Sequence, residues 1–154
     1  MIDAHRRQLV DRIAAAIASK PTRDDVLRAA VELIAEFSDR FDWTGFYMLE
    51  GEILVVGPYV GPPTPHTRIE LNRGICGAAA TQQKTIIVDD VHTDPRFLAC
   101  SITTRSEIVV PLMDGDRCIG EIDIDSNRPA AFTSEDREML EAVAKVIVSR
   151  LHQV

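Results

Sequence analysis

The stretch Ile108-Val109-Val110-Pro111-Leu112-Met113-Asp114-Gly115-Asp116-Arg117-Cys118-Ile119-Gly120-Glu121-Ile122-Asp123-Ile124-Asp125 decides the fold. Two extended runs, Ile108 to Met113 and Cys118 to Asp125, meet at Asp114-Gly115-Asp116. Asp-Gly suits a tight reversed turn, so the stretch predicts an antiparallel hairpin. Residues two apart on a strand share a face, so Ile122 and Ile124 point one way and Glu121, Asp123 and Asp125 the other. The plainest reading of these acids is a solvated outer face, because antiparallel sheets covered on one side alternate in this way. The second reading is a floor of carboxylates. Glu107, which begins the preceding strand, then converges with Asp123 and Asp125 across the hairpin. Their mutual repulsion raises at least one proton affinity, which suits a proton donor or a seat for a cationic group. By the same parity Cys118 is expected to face away from the acids, as a small hydrophobe under the helices.

Working outward, Trp43 to Leu49 and Ile53 to Gly57 flank Glu50-Gly51-Glu52 and predict a second hairpin. Trp43 and Tyr47 share one face of its first strand, either as half-core aromatics or as the wall of a small-molecule pocket. The segment from Gly57 to Thr67 holds Pro58, Pro62, Pro63 and Pro65 and is expected to be a surface loop. Asn72 to Gly77 reads as a glycine turn feeding a short helix, with Cys76 near its start, where backbone N–H groups favour a thiolate. Thr85 to Val88 is a short strand, and the aperiodic loop from Asp89 to Arg105, which contains Cys100, is long enough to be functional. Helical spacing marks Leu9 to Ile17, ending near Lys20, and a second helix opens near Arg23, Asp24 and Asp25, carries Val26 to Phe37 on one face and runs to about Asp39. Thr133 starts a last helix with the stripe Leu140, Val143, Ala144, Ile147 and Leu151. The fold class is α+β in one domain, residues 1–154. Residues 1–40 form N-terminal helices, 41–126 the sheet and pocket loops, and 127–154 the C-terminal helix. A central antiparallel sheet is expected, with the terminal helices on one face and a loop-roofed pocket on the other.

Composition narrows the function. The 154 residues carry 17 Lys and Arg against 24 Asp and Glu, a net charge of −7, which disfavours nucleic acid and anionic membrane as partners. The apolar stretch near the start, Ile13 to Ala18, falls far short of the ~18 residues of a spanning helix, and a cytoplasmic location is expected. The three cysteines, Cys76, Cys100 and Cys118, cannot all pair within one chain and in a reducing compartment rest as thiols. No cysteine pair has zinc spacing, and His66 and His92 are scattered in loops, so no metal is expected. Nucleophile-elbow, Walker and Rossmann motifs are missing, so hydrolase, nucleotide-phosphate and dinucleotide readings lack support.

Several strings together resemble the free methionine-(R)-sulfoxide reductases, which are stand-alone GAF domains. They are Trp43-Thr44-Gly45-Phe46-Tyr47, Gly57-Pro58-Tyr59, Arg73-Gly74-Ile75-Cys76-Gly77, Asp90-Val91-His92, Ala99-Cys100, Ser106 to Leu112, and Ile122-Asp123-Ile124-Asp125-Ser126. The resemblance spans about Phe41 to Glu138. It implies thiol-dependent reduction of free L-methionine (R)-S-oxide through a cysteine sulfenic acid, with Cys100 attacking and Cys76 as a second redox cysteine. Glu107, Asp123 and Asp125 become the acids around the sulfoxide oxygen and the substrate ammonium, and Trp43 and Tyr47 the aromatic wall. It implies no bound cofactor, a thioredoxin-like protein or small thiol as external reductant, and a homodimer. Many of these reductases carry a further, resolving cysteine at the position that His66 holds here. Regeneration then falls to Cys76, since Cys118 is expected to face away, or to a small external thiol. The alternative is a GAF module that senses a small-molecule ligand without chemistry.

Overall fold

The computed structural model describes residues 2–98 and 101–154. Helix α1 (Ala4–Ile17) begins where the Asp3 carboxylate accepts the Arg6 N–H at 2.9 Å, and α2 (Arg23–Glu36) where the Thr22 hydroxyl accepts the Asp25 N–H. Each cap satisfies a backbone donor that the helix itself cannot, a stabilisation of about 1 kcal/mol. Six strands follow: β1 (Trp43–Glu50), β2 (Ile53–Val60), β3 (Arg68–Glu70), β4 (Ile86–Val88), β5 (Ser106–Asp114) and β6 (Arg117–Ser126). They form one sheet in the order β3-β2-β1-β6-β5-β4, with every neighbouring pair antiparallel. Between β3 and β4 runs α3 (Gly74–Gln82), and α4 (Ser134–Leu151) closes the chain. The Thr133 hydroxyl accepts the Asp136 N–H while the Asp136 carboxylate accepts the Thr133 N–H, the reciprocal cap that the sequence suggests.

The strand parities sort the sheet into two faces. Ile108, Val110, Leu112, Ile122 and Ile124 meet Ile13, Ile34, Val143 and Ile147 in one buried apolar layer beneath α1, α2 and α4. Burying each such side chain is worth roughly 1.5–3 kcal/mol, so this layer carries most of the stability. The other face carries Trp43, Tyr47 and Val109 and is covered by Ile75, Cys76 and Ala79 of α3. This is the α+β arrangement expected, helices on one face and a roofed pocket on the other. Among the described residues no helix is long and apolar enough to cross a membrane.

Three elements differ from the sequence reading. Strand β2 continues through Gly57 and Pro58 to Val60, where a surface loop is expected. Gly45 pairs with Tyr59 but Tyr47 with Val56, so β2 holds one extra residue here, a bulge. β3 pairs only with Ile53 to Val55, so Pro58 lies beyond it at an edge, where its missing N–H is tolerated. The second difference is β3 itself, three residues long and too short to show a period. The third is Cys118. Leu112 pairs with Gly120 and Met113 with Cys118, leaving β6 one residue longer than β5 at that point. The bulge inverts the parity, and Cys118 packs on the pocket side rather than under the helices, its thiol donating to the Gly120 carbonyl at 3.2 Å.

Candidate active site

Pairing on the sheet brings the predicted acids together. Glu107 on β5 lies opposite Asp125 on β6, and Asp125 lies in turn opposite Trp43 on β1, while Asp123 lies opposite Gly45 and Val109. The acids face the pocket, as the floor reading requires, and they are not solvated: Glu107, Asp123 and Asp125 are 5%, 2% and 2% exposed. Glu121 is 0% exposed and completes the floor. Sequence parity grouped it with Asp123 and Asp125, yet no role was expected of it. Among the described residues, both oxygens of Glu121 and one oxygen each of Asp123 and Asp125 have no hydrogen-bond partner.

Electrostatics follow from this burial. Withdrawal from water pushes Glu121 well above the ordinary carboxylate range, with the Asp123 charge adding to the shift and the Cys76 thiol opposing it. Asp125 is pushed well up by burial and then by Asp123, against a hydrogen bond from Glu107. Burial raises Asp123 too, while Glu107 and Cys76 pull it back. Burial thus shifts Glu121, Asp123 and Asp125 toward the protonated form.

Cys76 sits in the first turn of α3, directly over the floor. Its thiol is pushed well above its ordinary value by burial first, then by Asp123, Glu121 and Glu107. The thiolate expected from the helix start is thus overridden by burial first and by the three acids second. Cys118 is also raised, by burial and by Glu121, against its hydrogen bond to Gly120. Cys100 lies outside the described residues.

The aromatic wall is assembled on glycine. A Cβ at Gly45 would stand 2.5 Å from the Trp43 ring and one at Gly61 2.7 Å from it. Only these two bare positions let the indole lie flat between its neighbours. It stacks on Tyr59 at 5.2 Å and on Tyr47 at 6.2 Å between ring centroids, and its N–H donates to the Pro62 carbonyl at 3.0 Å. The Tyr47 hydroxyl donates to the His66 carbonyl at 2.8 Å, so the proline-rich loop is tied to the wall through its backbone. Two cavities open against these groups. One of about 200 Å³ lies between Trp43, Pro62, Thr104 and Asp125, the size of a small amino acid. The other, about 20 Å³, lies among Cys76, Glu107, Asp123 and His66 and admits a single water or ion. Among the described residues neither is lined by Lys or Arg.

A curled antiparallel sheet with three helices behind it and a roofed pocket in front defines a GAF domain, and the GAF domain family model matches residues 22–151. Within that class the similarity is narrower. The free methionine-R-sulfoxide reductase of Escherichia coli (strain K12) is 37% identical over 122 residues, covering 79% of this chain and 71% of its own. The structure of the free methionine-R-sulfoxide reductase from Neisseria meningitidis in complex with its substrate superposes with a TM-score of 0.91 at 35% identity, over 99% of this chain and 92% of that one. The type II free methionine-R-sulfoxide reductase from Thermoplasma acidophilum gives 0.82 at 38% identity, over 85% and 93%. The chain belongs to the free methionine-R-sulfoxide reductase family, a family of oxidoreductases.

Proposed function

We propose that this chain reduces free L-methionine (R)-S-oxide to L-methionine, with Cys100 as the attacking thiol and the acid floor as proton source. The observation that carries the reading is the set of buried, raised carboxyls facing an aromatic wall, in a chain of this family. A sulfoxide oxygen is a poor leaving group until protonated, and Asp125 and Glu107 are suited to supply that proton. The Cys100 sulfur attacks the substrate sulfur, an S–S bond forms and the protonated oxygen leaves as water. Water then attacks the Cys100 sulfur, the S–S bond breaks and methionine leaves with Cys100 as a sulfenic acid, so the cysteine loses two electrons and the substrate gains them. The sulfonium character that develops at the substrate sulfur is met by the faces of Trp43 and Tyr47. Asp123 and its neighbours seat the ammonium of the free amino acid.

Cys76 then attacks the sulfenic sulfur, releasing water and forming a Cys76–Cys100 disulfide. A thioredoxin-like protein or a small thiol in the cytoplasm returns both cysteines to thiols. Burial first, and the acids second, disfavour the Cys76 thiolate that the disulfide-forming step uses.

The test is stoichiometric. Reduced protein is given free methionine (R)-S-oxide with no reductant, then both methionine and protein mass are measured. One equivalent of methionine per chain, with either one added oxygen or the loss of two hydrogens mapped to Cys100, is expected. Saturable binding without product or mass change would return the chain to a ligand-sensing role.

A further inference from the structure

The small cavity beneath α3 gathers three groups of the proposed reaction in an arrangement that also fits a metal ion. One ligand atom each from Cys76, Glu107 and Asp123 lies within 4.8 Å of the others, and all three residues are buried. They come from α3, β5 and β6, so no sequence spacing announces them. Asp123, 2% exposed, lines the same cavity and, among the described residues, turns one carboxylate oxygen to no hydrogen-bond partner. We propose that Cys76, Glu107 and Asp123 form a binding site for a thiophilic divalent cation of the Zn²⁺ type, which acts as a reversible brake on the enzyme.

Size and donor set both select the ion. At Zn–S and Zn–O lengths of about 2.3 and 2.1 Å, tetrahedral donors stand about 3.3–3.8 Å apart, so these side chains close on zinc by shifts of roughly half an ångström each. A cavity of about 20 Å³ holds one such ion with no room for a hydrated shell. Mg²⁺ and Ca²⁺ need six or more oxygens and do not take thiolate, which excludes them. One thiolate and two carboxylates carry three negative charges, enough to offset the two of the cation, and among the described residues no Lys or Arg lines the cavity to compete with it. An ion there holds Cys76 as a thiolate bound to metal and withdraws Glu107 and Asp123 from the substrate. The brake, unlike the binding, rests on the proposed reductase reaction.

The experiment is a titration of the full-length reduced chain with Co²⁺ alone, followed by displacement with Zn²⁺. One equivalent per chain is expected, with a sulfur-to-cobalt charge-transfer band that Cys76→Ser abolishes. Asp123→Asn should weaken binding at least about tenfold while leaving the band's shape, and Cys118→Ser should change neither. The site is overturned if the band survives in Cys76→Ser, if it vanishes instead in Cys100→Ser, or if Asp123→Asn binds as tightly as the parent. In turnover assays Zn²⁺ should lower kcat/KM for the sulfoxide at least about tenfold, and an unchanged kcat/KM at saturating Zn²⁺ sinks the brake. A chain that binds Co²⁺ through Cys76 but never reduces the sulfoxide sinks the reductase reading and not the site.

Discussion

Asp136 at the start of α4 and the acids of β5 and β6 are equally withdrawn from water, yet they are provided for in opposite ways. Asp136 is 0% exposed and is gripped by Arg6 at 2.8 Å, by Arg40 at 3.0 Å and by the Thr133 N–H. Burial works to raise it, but Arg40, Thr133 and Arg6 outweigh burial and hold the carboxyl below its ordinary range. Glu121, Asp123 and Asp125 have no such cations and are all raised. A buried acid with its partners supplied ties α1, the segment before β1 and α4 together; a buried acid without them is held ready for something that arrives from outside.

The strongest test of this contrast lies on the functional side. Cys100→Ser should yield no methionine even in a single turnover, because a hydroxyl is a far weaker nucleophile than a thiolate; normal product in a quench-flow assay removes Cys100 from the mechanism. On the structural side, Asp136→Ala should cost about 3–5 kcal/mol in urea denaturation, since it leaves two arginines facing an empty, buried corner. Its kcat/KM per folded molecule should stay within a factor of about two, given that stability lost away from the site need not alter transition-state binding. Asp125→Asn and Glu107→Gln should each slow the first turnover about 10²-fold. A loss under threefold in both would make the floor a passive lining. Free methionine (R)-S-oxide should exceed its N-acetyl form by about 10²-fold in kcat/KM, the effect of losing one buried charge contact. Equal rates would remove the ammonium seat.

The smallest effect is in pH dependence, and there the two clusters should differ in sign. The raised carboxyls bind protons in the folded state that the unfolded chain has already released. Their stabilisation is therefore full below the ordinary carboxylate pKa and is lost as pH rises through their raised values. Asp136 is lowered, so its contribution is present above that pKa and is lost as pH falls through its folded value. Glu121→Gln should flatten the decline on the alkaline side, gaining on the order of 1 kcal/mol at neutral pH. Asp136→Ala should flatten the fall on the acid side. Denaturation midpoints measured from pH 3 to pH 9 check both, and a Glu121→Gln profile parallel to the parent would place a cation near the floor.

The alternation of Glu121, Asp123 and Asp125 with Ile122 and Ile124 was legible because a strand has a strict period of two. Whether the acid side was wet or dry was not, since the roof over it comes from α3 and the loops around His66 and Leu98, remote in sequence. The hairpins, the helix caps at Thr22 and Thr133, and the shared face of Trp43 and Tyr47 rest on local chemistry and could be read directly. Cys118 and Pro58 were misplaced for one reason: each adjoins a bulge, and a single inserted residue inverts every parity argument beyond it. The thiolate expected at Cys76 assumed an exposed, isolated helix terminus, and burial, with the cross-sheet acids behind it, reverses the sign.

The Trp43 ring, pressed into the gap left by two glycines, has one more consequence. It is the only tryptophan in the chain. Held between Tyr59 and Tyr47 with its N–H bound to a carbonyl, it is shielded from collisional quenching and from the red shift that water imposes on indole emission. Anything that slides between the wall and the acid floor changes the polarity on one side of a single fluorophore. The pocket thus carries its own optical probe, and its occupancy and release can be followed in unlabelled protein in real time.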